Sequence, residues 1–115
     1  MKIAFTANGT DWKAEIDPRF GRTVYIVIYD DTSRELTHVD NRSVEDVAHG
    51  AGPQTAQKLF DLGPDVLITG NGPGGNAATV LQKAGLKIFV GAGGMTLEAA
   101  LEAYKKGALA EFAGA

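Results

Sequence analysis

Blocks of apolar residues, each with its own period, divide the chain into strands and helices. Lys2 to Ala7 (KIAFTA) is a short apolar run and predicts a buried strand. Thr23 to Tyr29 (TVYIVIY) is β-branched and aromatic, the composition a pleated surface favours. Asp30 to Arg34 is polar turn material, and Leu36 to Asp40 alternates like a half-exposed strand, so these two strands form an antiparallel hairpin. From Pro53 to Leu62 the period becomes helical, with Pro in the first turn, Ala56, Leu59 and Phe60 on one stripe, and Gly63 as the stop. Asp65 to Thr69 (DVLIT) predicts a buried strand, and a second helix carries Ala77, Val80, Leu81 and Ala84 on one face before Gly85. Lys87 to Val90 is another buried strand. A third helix opens at Thr96 as N-cap, lines up Leu97, Ala100, Leu101 and Tyr104, and closes at Gly107.

The order is β-β-β-α-β-α-β-α. The later strand–helix–strand units require parallel pairing through crossover helices, whereas the first three strands pair through a hairpin. The simplest assembly is α/β, a five-stranded mixed sheet of ribonuclease-H-like type with strand order 3-2-1-4-5 and flanking helices. The tail after Gly107 (ALAEFAGA) carries no period and is expected to pack loosely or fray.

A length of 115 residues fits one domain over residues 1–115, and 44% hydrophobic with 22% charged residues is ordinary globular composition. The formal net charge of -3 argues against a general nucleic-acid binder. With no cysteine, disulfides and thiolate-ligated zinc or iron–sulfur centres are excluded. No apolar run reaches membrane-spanning length, and the start MKIAFTAN lacks a secretory pattern, so a cytoplasmic protein without membrane association is expected.

In mixed sheets of this kind ligands bind beyond the carboxyl ends of the parallel strands, where strand order reverses. Two Gly-rich loops are expected there, Gly70-Asn71-Gly72-Pro73-Gly74-Gly75-Asn76 and Gly91-Ala92-Gly93-Gly94, each following a strand and opening a helix. That placement presents backbone N–H groups and a positive dipole end to an anion. Against this stands the plainer reading that the glycines only make tight turns. Arg19 and Arg22, in Asp17-Pro18-Arg19-Phe20-Gly21-Arg22, either face solvent or add fixed positive charge to the same site. His38 is read as a half-exposed strand residue. His49, in a Gly-rich lead into the first helix, is read either as structural or as a ligand.

Two enzymatic readings fail on their essential residues. Gly70, Gly72 and Gly75 match a dinucleotide fingerprint formally, but no acid ends the next strand, at Val90-Gly91, to take the ribose hydroxyls. A two-metal nuclease needs clustered carboxylates, one of them on the first strand, and KIAFTA has none. No hydrolase, nuclease or dehydrogenase activity is expected. Two alternatives stay open on the residues alone: an enzyme or sensor that binds a phosphorylated metabolite or nucleotide at the Gly-rich loops, and a partner-binding module without a ligand.

The MKIAFTAN start, DPRFGR, AHGAGP, VLITGNGPGGNA and KIFVGAGG, in this order along essentially the whole chain, resemble the dinitrogenase iron-molybdenum cofactor biosynthesis family, which includes NifX-like carriers, the C-terminal region of NifB and proteins of the orange-protein type. The resemblance implies a ribonuclease-H-like fold and a non-catalytic protein that binds, stores or delivers an anionic metal–sulfur cluster. That cluster would contain molybdenum with iron or copper, be held non-covalently, and pass to or from protein partners. Arg19, Phe20, Gly21 and Arg22 match the family's FGR segment, and His49 matches its histidine, the one expected metal contact. With the loop residues Gly70, Asn71, Gly72, Gly74, Gly75, Gly91, Gly93 and Gly94 they make up the expected cofactor-binding set.

Overall fold

The computed structural model describes residues 1–42 and 51–112. The strands are β1 (Lys2–Ala7), β2 (Tyr25–Asp30), β3 (Glu35–Asp40), β4 (Val66–Ile68), β5 (Lys87–Val90) and β6 (Ala110–Glu111), and the helices are α1 (Ala51–Leu62), α2 (Gly75–Lys83) and α3 (Leu97–Lys105). One sheet runs β3-β2-β1-β4-β5-β6. Its first five members stand in the order the sequence predicts, a mixed sheet of ribonuclease-H-like topology. β1 pairs antiparallel with β2 and parallel with β4, so strand order reverses at β1/β4.

Because side chains alternate along a strand, a sheet buried on both faces makes two cores. On one face Ile3, Phe5, Ala7, Val27, Val66 and Ile68 meet Leu97, Ala100 and Leu101 of α3. On the other, Ala4, Ile26, Ile28, Leu67 and Ile88 meet Ala56 and Leu59 of α1 and Ala77 and Leu81 of α2. Phe5 is fully buried, and each side chain of this size contributes about 1.5–3 kcal/mol through burial.

Three departures from the sequence reading have physical causes. β2 begins at Tyr25 because the Thr23 N–H closes a turn onto the Phe20 carbonyl, 3.3 Å away. Among the described residues α1 covers Ala51–Leu62, so it takes in Ala51 and Gly52 ahead of Pro53, whose missing N–H is tolerated near a helix N-terminus. The tail forms a strand: β6 pairs antiparallel with β5, and Phe112 packs on the second core. A two-residue strand carries no period to read.

The β2–β3 hairpin holds Arg34 at φ 63°, a left-handed conformation disfavoured for side chains with a Cβ. Arg34→Gly is expected to raise the unfolding free energy by about 1 kcal/mol in chemical denaturation. An unchanged or lower midpoint would show that the arginine side chain offsets the backbone cost.

Candidate functional site

Three segments meet at the carboxyl ends of β1, β4 and β5, and Pro18 lies at their junction. The Asn71 N–H donates to the Pro18 carbonyl at 2.8 Å. A Cβ at Gly70 would lie 2.5 Å from Pro18 Cα and 3.2 Å from Gly93 Cα, so only glycine lets the three backbones touch. The loops after β4 and β5 therefore lie side by side. Gly21 makes a similar approach to α1, since a Cβ there would sit 2.9 Å from the Gly52 nitrogen. These contacts bring the Arg19–Arg22 segment against both the first turn of α1 and the loop that opens α2.

The two helix starts beside this junction differ in what they offer. The amides at the start of α3 are engaged within the protein. Leu97 N–H donates to Ala14 O at 2.9 Å, Glu98 N–H to Trp12 O at 3.1 Å, and Ala99 N–H to the Thr96 hydroxyl at 3.1 Å. In the loop before it, Gly91, Ala92 and Gly94 donate to Gly70, Thr69 and Ile16 carbonyls. Asn8–Ile16, the long connection after β1, closes over this end. α2 instead has Gly74 as its N-cap, with no side-chain cap, and its first intrahelical bond is Ala78 N–H to Gly74 O at 2.9 Å. The N–H groups of Gly75, Asn76 and Ala77 have no acceptor in their own helix.

Their residues, with Gly52, Pro53 and Gly74, line a cleft of about 260 Å³. The first turns of α1 and α2 thus face a common space. A Cβ at Gly52, Gly74 or Gly75 would meet nothing within 4 Å, and Gly74 has an ordinary φ of -64°. Neither packing nor backbone conformation requires glycine at Gly74; its effect is to keep the rim of the cleft bare.

A buried polar network holds the segment in place. Asp17 is 1% exposed. Its carboxylate accepts from the Arg19 N–H at 3.0 Å, from Arg19 Nε and Nη2 at 3.1 Å each, and from the Val24 N–H at 3.2 Å. The Thr6 hydroxyl donates to the Asp17 carbonyl at 2.9 Å and shares a 2.8 Å bond with the Thr69 hydroxyl. On the other side, the Thr55 hydroxyl donates to the Gly21 carbonyl at 2.6 Å, and Asn41 Nδ2 donates to Thr55 Oγ1 at 3.0 Å. Asp17, Thr55 and Asn41 carry no role in the sequence reading. For Asp17 a signal exists, because Asp-Pro-Arg suits a side chain that bonds the backbone two residues on. Nothing local marks Thr55 or Asn41.

The remaining site residues fall in different settings. Phe20 is 4% exposed and packs in the α1/α2 core, so its side chain anchors the segment rather than lining the cleft. Arg19 is exposed and Arg22 half-buried. Gly72 lies under the Phe112 ring. His49 lies outside the described residues. His38 is exposed on β3 and meets Tyr25 edge-on at 5.8 Å between ring centroids. Among the described residues, the acids with lowered pKa belong to the β2–β3 hairpin: hydrogen bonds from Arg42 bring Asp40 down to about 2, and the Thr32 amide lowers Asp30.

Over residues 1–107 the chain matches the family described as dinitrogenase iron-molybdenum cofactor. It belongs to that family. The apo form of the orange protein from Desulfovibrio gigas superposes with a TM-score of 0.91 at 36% identity, over 98% of this chain and 93% of that one. A NifB-like protein from Thermotoga, solved by NMR, superposes at 0.79 with 35% identity, over 96% and 91% of the two chains. No curated protein matches significantly. Membership of the dinitrogenase iron-molybdenum cofactor family supports binding, storage or delivery of a metal–sulfur cluster, the work of a carrier rather than an enzyme, and favours this over a phosphorylated metabolite or nucleotide.

Proposed function

We propose that the cargo is a molybdenum-containing metal–sulfur cluster, Mo–Cu–S or Fe–Mo–S, held without covalent attachment where α1 and α2 begin. The observation that carries this reading is the uncapped α2 start, which opens on a cleft shared with α1 beside the arginine segment. A sulfide-rich polyanion calls for distributed N–H donors and fixed positive charge; the α2 start offers the first, and Arg19 and Arg22 carry the second on the neighbouring segment. The donor chemistry agrees. The chain has no cysteine, and among the described residues no three His, Cys, Asp or Glu side chains are grouped to ligate a metal ion. The cluster's own sulfides then supply most of the ligands to its metals, and the protein recognises chiefly its outer surface.

In this reading Gly74 and Gly75 form the rim, with Asn71 and Gly72 on the loop leading to it. Arg19 and Arg22 supply charge, and Gly70, Gly91, Gly93 and Gly94 form the junction behind. His49 is the candidate metal contact. Non-covalent retention suits a protein that hands its cargo to a protein partner.

Titration of the apo-protein with tetrathiomolybdate and Cu(I), followed by visible absorption and amide chemical shifts, tests the site. The amides of Gly74–Ala77 are expected to move. Arg22→Ala is expected to weaken retention about tenfold, the equivalent of one charge-assisted contact of about 1.5 kcal/mol. His49→Ala weakens it only if the imidazole touches the cluster. If binding shifts distant surface amides and leaves Gly74–Ala77 unmoved, the site is wrong.

A further inference from the structure

The C-terminal tail is tied to the loop that opens α2, and the tie runs through one ring. Phe112 makes three contacts with three different elements. Its N–H donates to the Ile88 carbonyl of β5 at 2.7 Å. Its carbonyl accepts from Gln82 Nε2 of α2 at 3.0 Å. Its ring lies over Gly72 so closely that a Cβ there would fall inside the ring's van der Waals envelope. Gly72 stands two residues before Gly74, the N-cap of α2. The ring therefore bears on the chain just before the uncapped helix start, and its backbone is locked to that helix and to the neighbouring strand.

We propose that Phe112 is a positioning residue for the cargo cleft: seated over Gly72, it fixes where α2 begins, and its departure loosens the cleft and speeds release of the cargo. The part about release rests on the cargo reading above; the part about position does not. β6 suits such a device. It is a short edge strand, in register with β5 at Phe89↔Glu111 and Val90↔Ala110, and peripheral elements of this kind open at the low end of the free energies in a fold. The helix start and the ring are thus coupled through Gly72, with a short edge strand on the far side of the ring.

The test uses the full chain with Phe112→Ala, Phe112→Leu, Gly72→Ala and the Phe112→Ala/Gly72→Ala double variant. In the apo-protein, Phe112→Ala is expected to speed hydrogen exchange at Asn71 and Ala78, whose N–H groups bond Pro18 and Gly74 carbonyls, while β1 amides keep their protection. Phe112→Leu, which refills much of the space, should restore slow exchange. Gly72→Ala should be damaging alone and much less so once the ring is gone. With tetrathiomolybdate and Cu(I) loaded, dissociation from Phe112→Ala should be roughly fivefold faster or more. Equal effects of Gly72→Ala in both backgrounds would overturn the proposal. So would accelerated exchange that reaches β1, because the ring would then support the whole fold. A wild-type protein that holds no thiomolybdate–copper cargo would sink the cargo reading, and the exchange and double-variant results would still decide the ring's role.

Discussion

Asp17→Ala is expected to lower the unfolding free energy by about 2–3 kcal/mol and to weaken cargo retention at the same time. The carboxylate is buried and accepts four hydrogen bonds, two from backbone N–H groups of Arg19 and Val24 and two from the Arg19 guanidinium. The guanidinium half of that cluster counts for little in stability, because the Arg19 side chain is 55% exposed and water replaces its lost partner. The cost comes from the two N–H donors, which lose an ionised acceptor, and from the space left behind. Asp17→Asn keeps the shape and one acceptor oxygen and should cost about half as much. Urea denaturation of the three proteins measures the stability change, and thiomolybdate–copper retention measures the functional one. A change in midpoint equivalent to less than about 0.5 kcal/mol for Asp17→Ala, the scatter of ordinary surface substitutions, would mean that Asp17 does not anchor the segment.

Two glycines five residues apart should respond in opposite senses. Gly70→Ala drives a methyl group onto Pro18 and Gly93 backbone, which no rotamer change can relieve, and is expected to cost about 1–3 kcal/mol or more. Gly75→Ala places the same methyl in open space at the first residue of α2, and is expected to stabilise the fold by about 0.4–1 kcal/mol. Its effect on cargo should run against its effect on stability, because the added methyl thickens the rim of the cleft. Thermal unfolding paired with cargo retention separates the two. Gly75→Ala that is more stable and binds undiminished would remove Gly75 from the site. Gly70→Ala that unfolds at the wild-type temperature would mean that the junction around Pro18 gives way easily.

The same contrast marks what the sequence can convey about the site. A Gly-rich run between a strand and a helix says that backbone comes close to something. It does not say whether the neighbour is another loop, as at Gly70, or an open cleft, as at Gly75. The two loops look equivalent as text, each a strand followed by glycines and a helix. They differ because Asn8–Ile16 folds back over the start of α3 and engages its amides, while α2 is left uncapped. The hydrogen bonds responsible join residues some 80 positions apart, such as Leu97 to Ala14, and nothing local encodes them.

Strands, hairpin and helices were legible by themselves, because each leaves a local signal: an apolar or β-branched run for β1 and β2, buried between helices, and a period of 3.6 for the helices that cover them. Strand order then follows from the crossover and hairpin rules. The motif string from MKIAFTAN to KIFVGAGG likewise carries the family on its own. Tertiary structure alone decided that Phe20 belongs to the core, that Asp17, Thr55 and Asn41 hold the arginine segment, and that Phe112 reaches Gly72. Periodicity reports which face of an element is apolar. Contacts between elements depend on how those faces are brought together, and that is settled only when the whole sheet closes over its two cores.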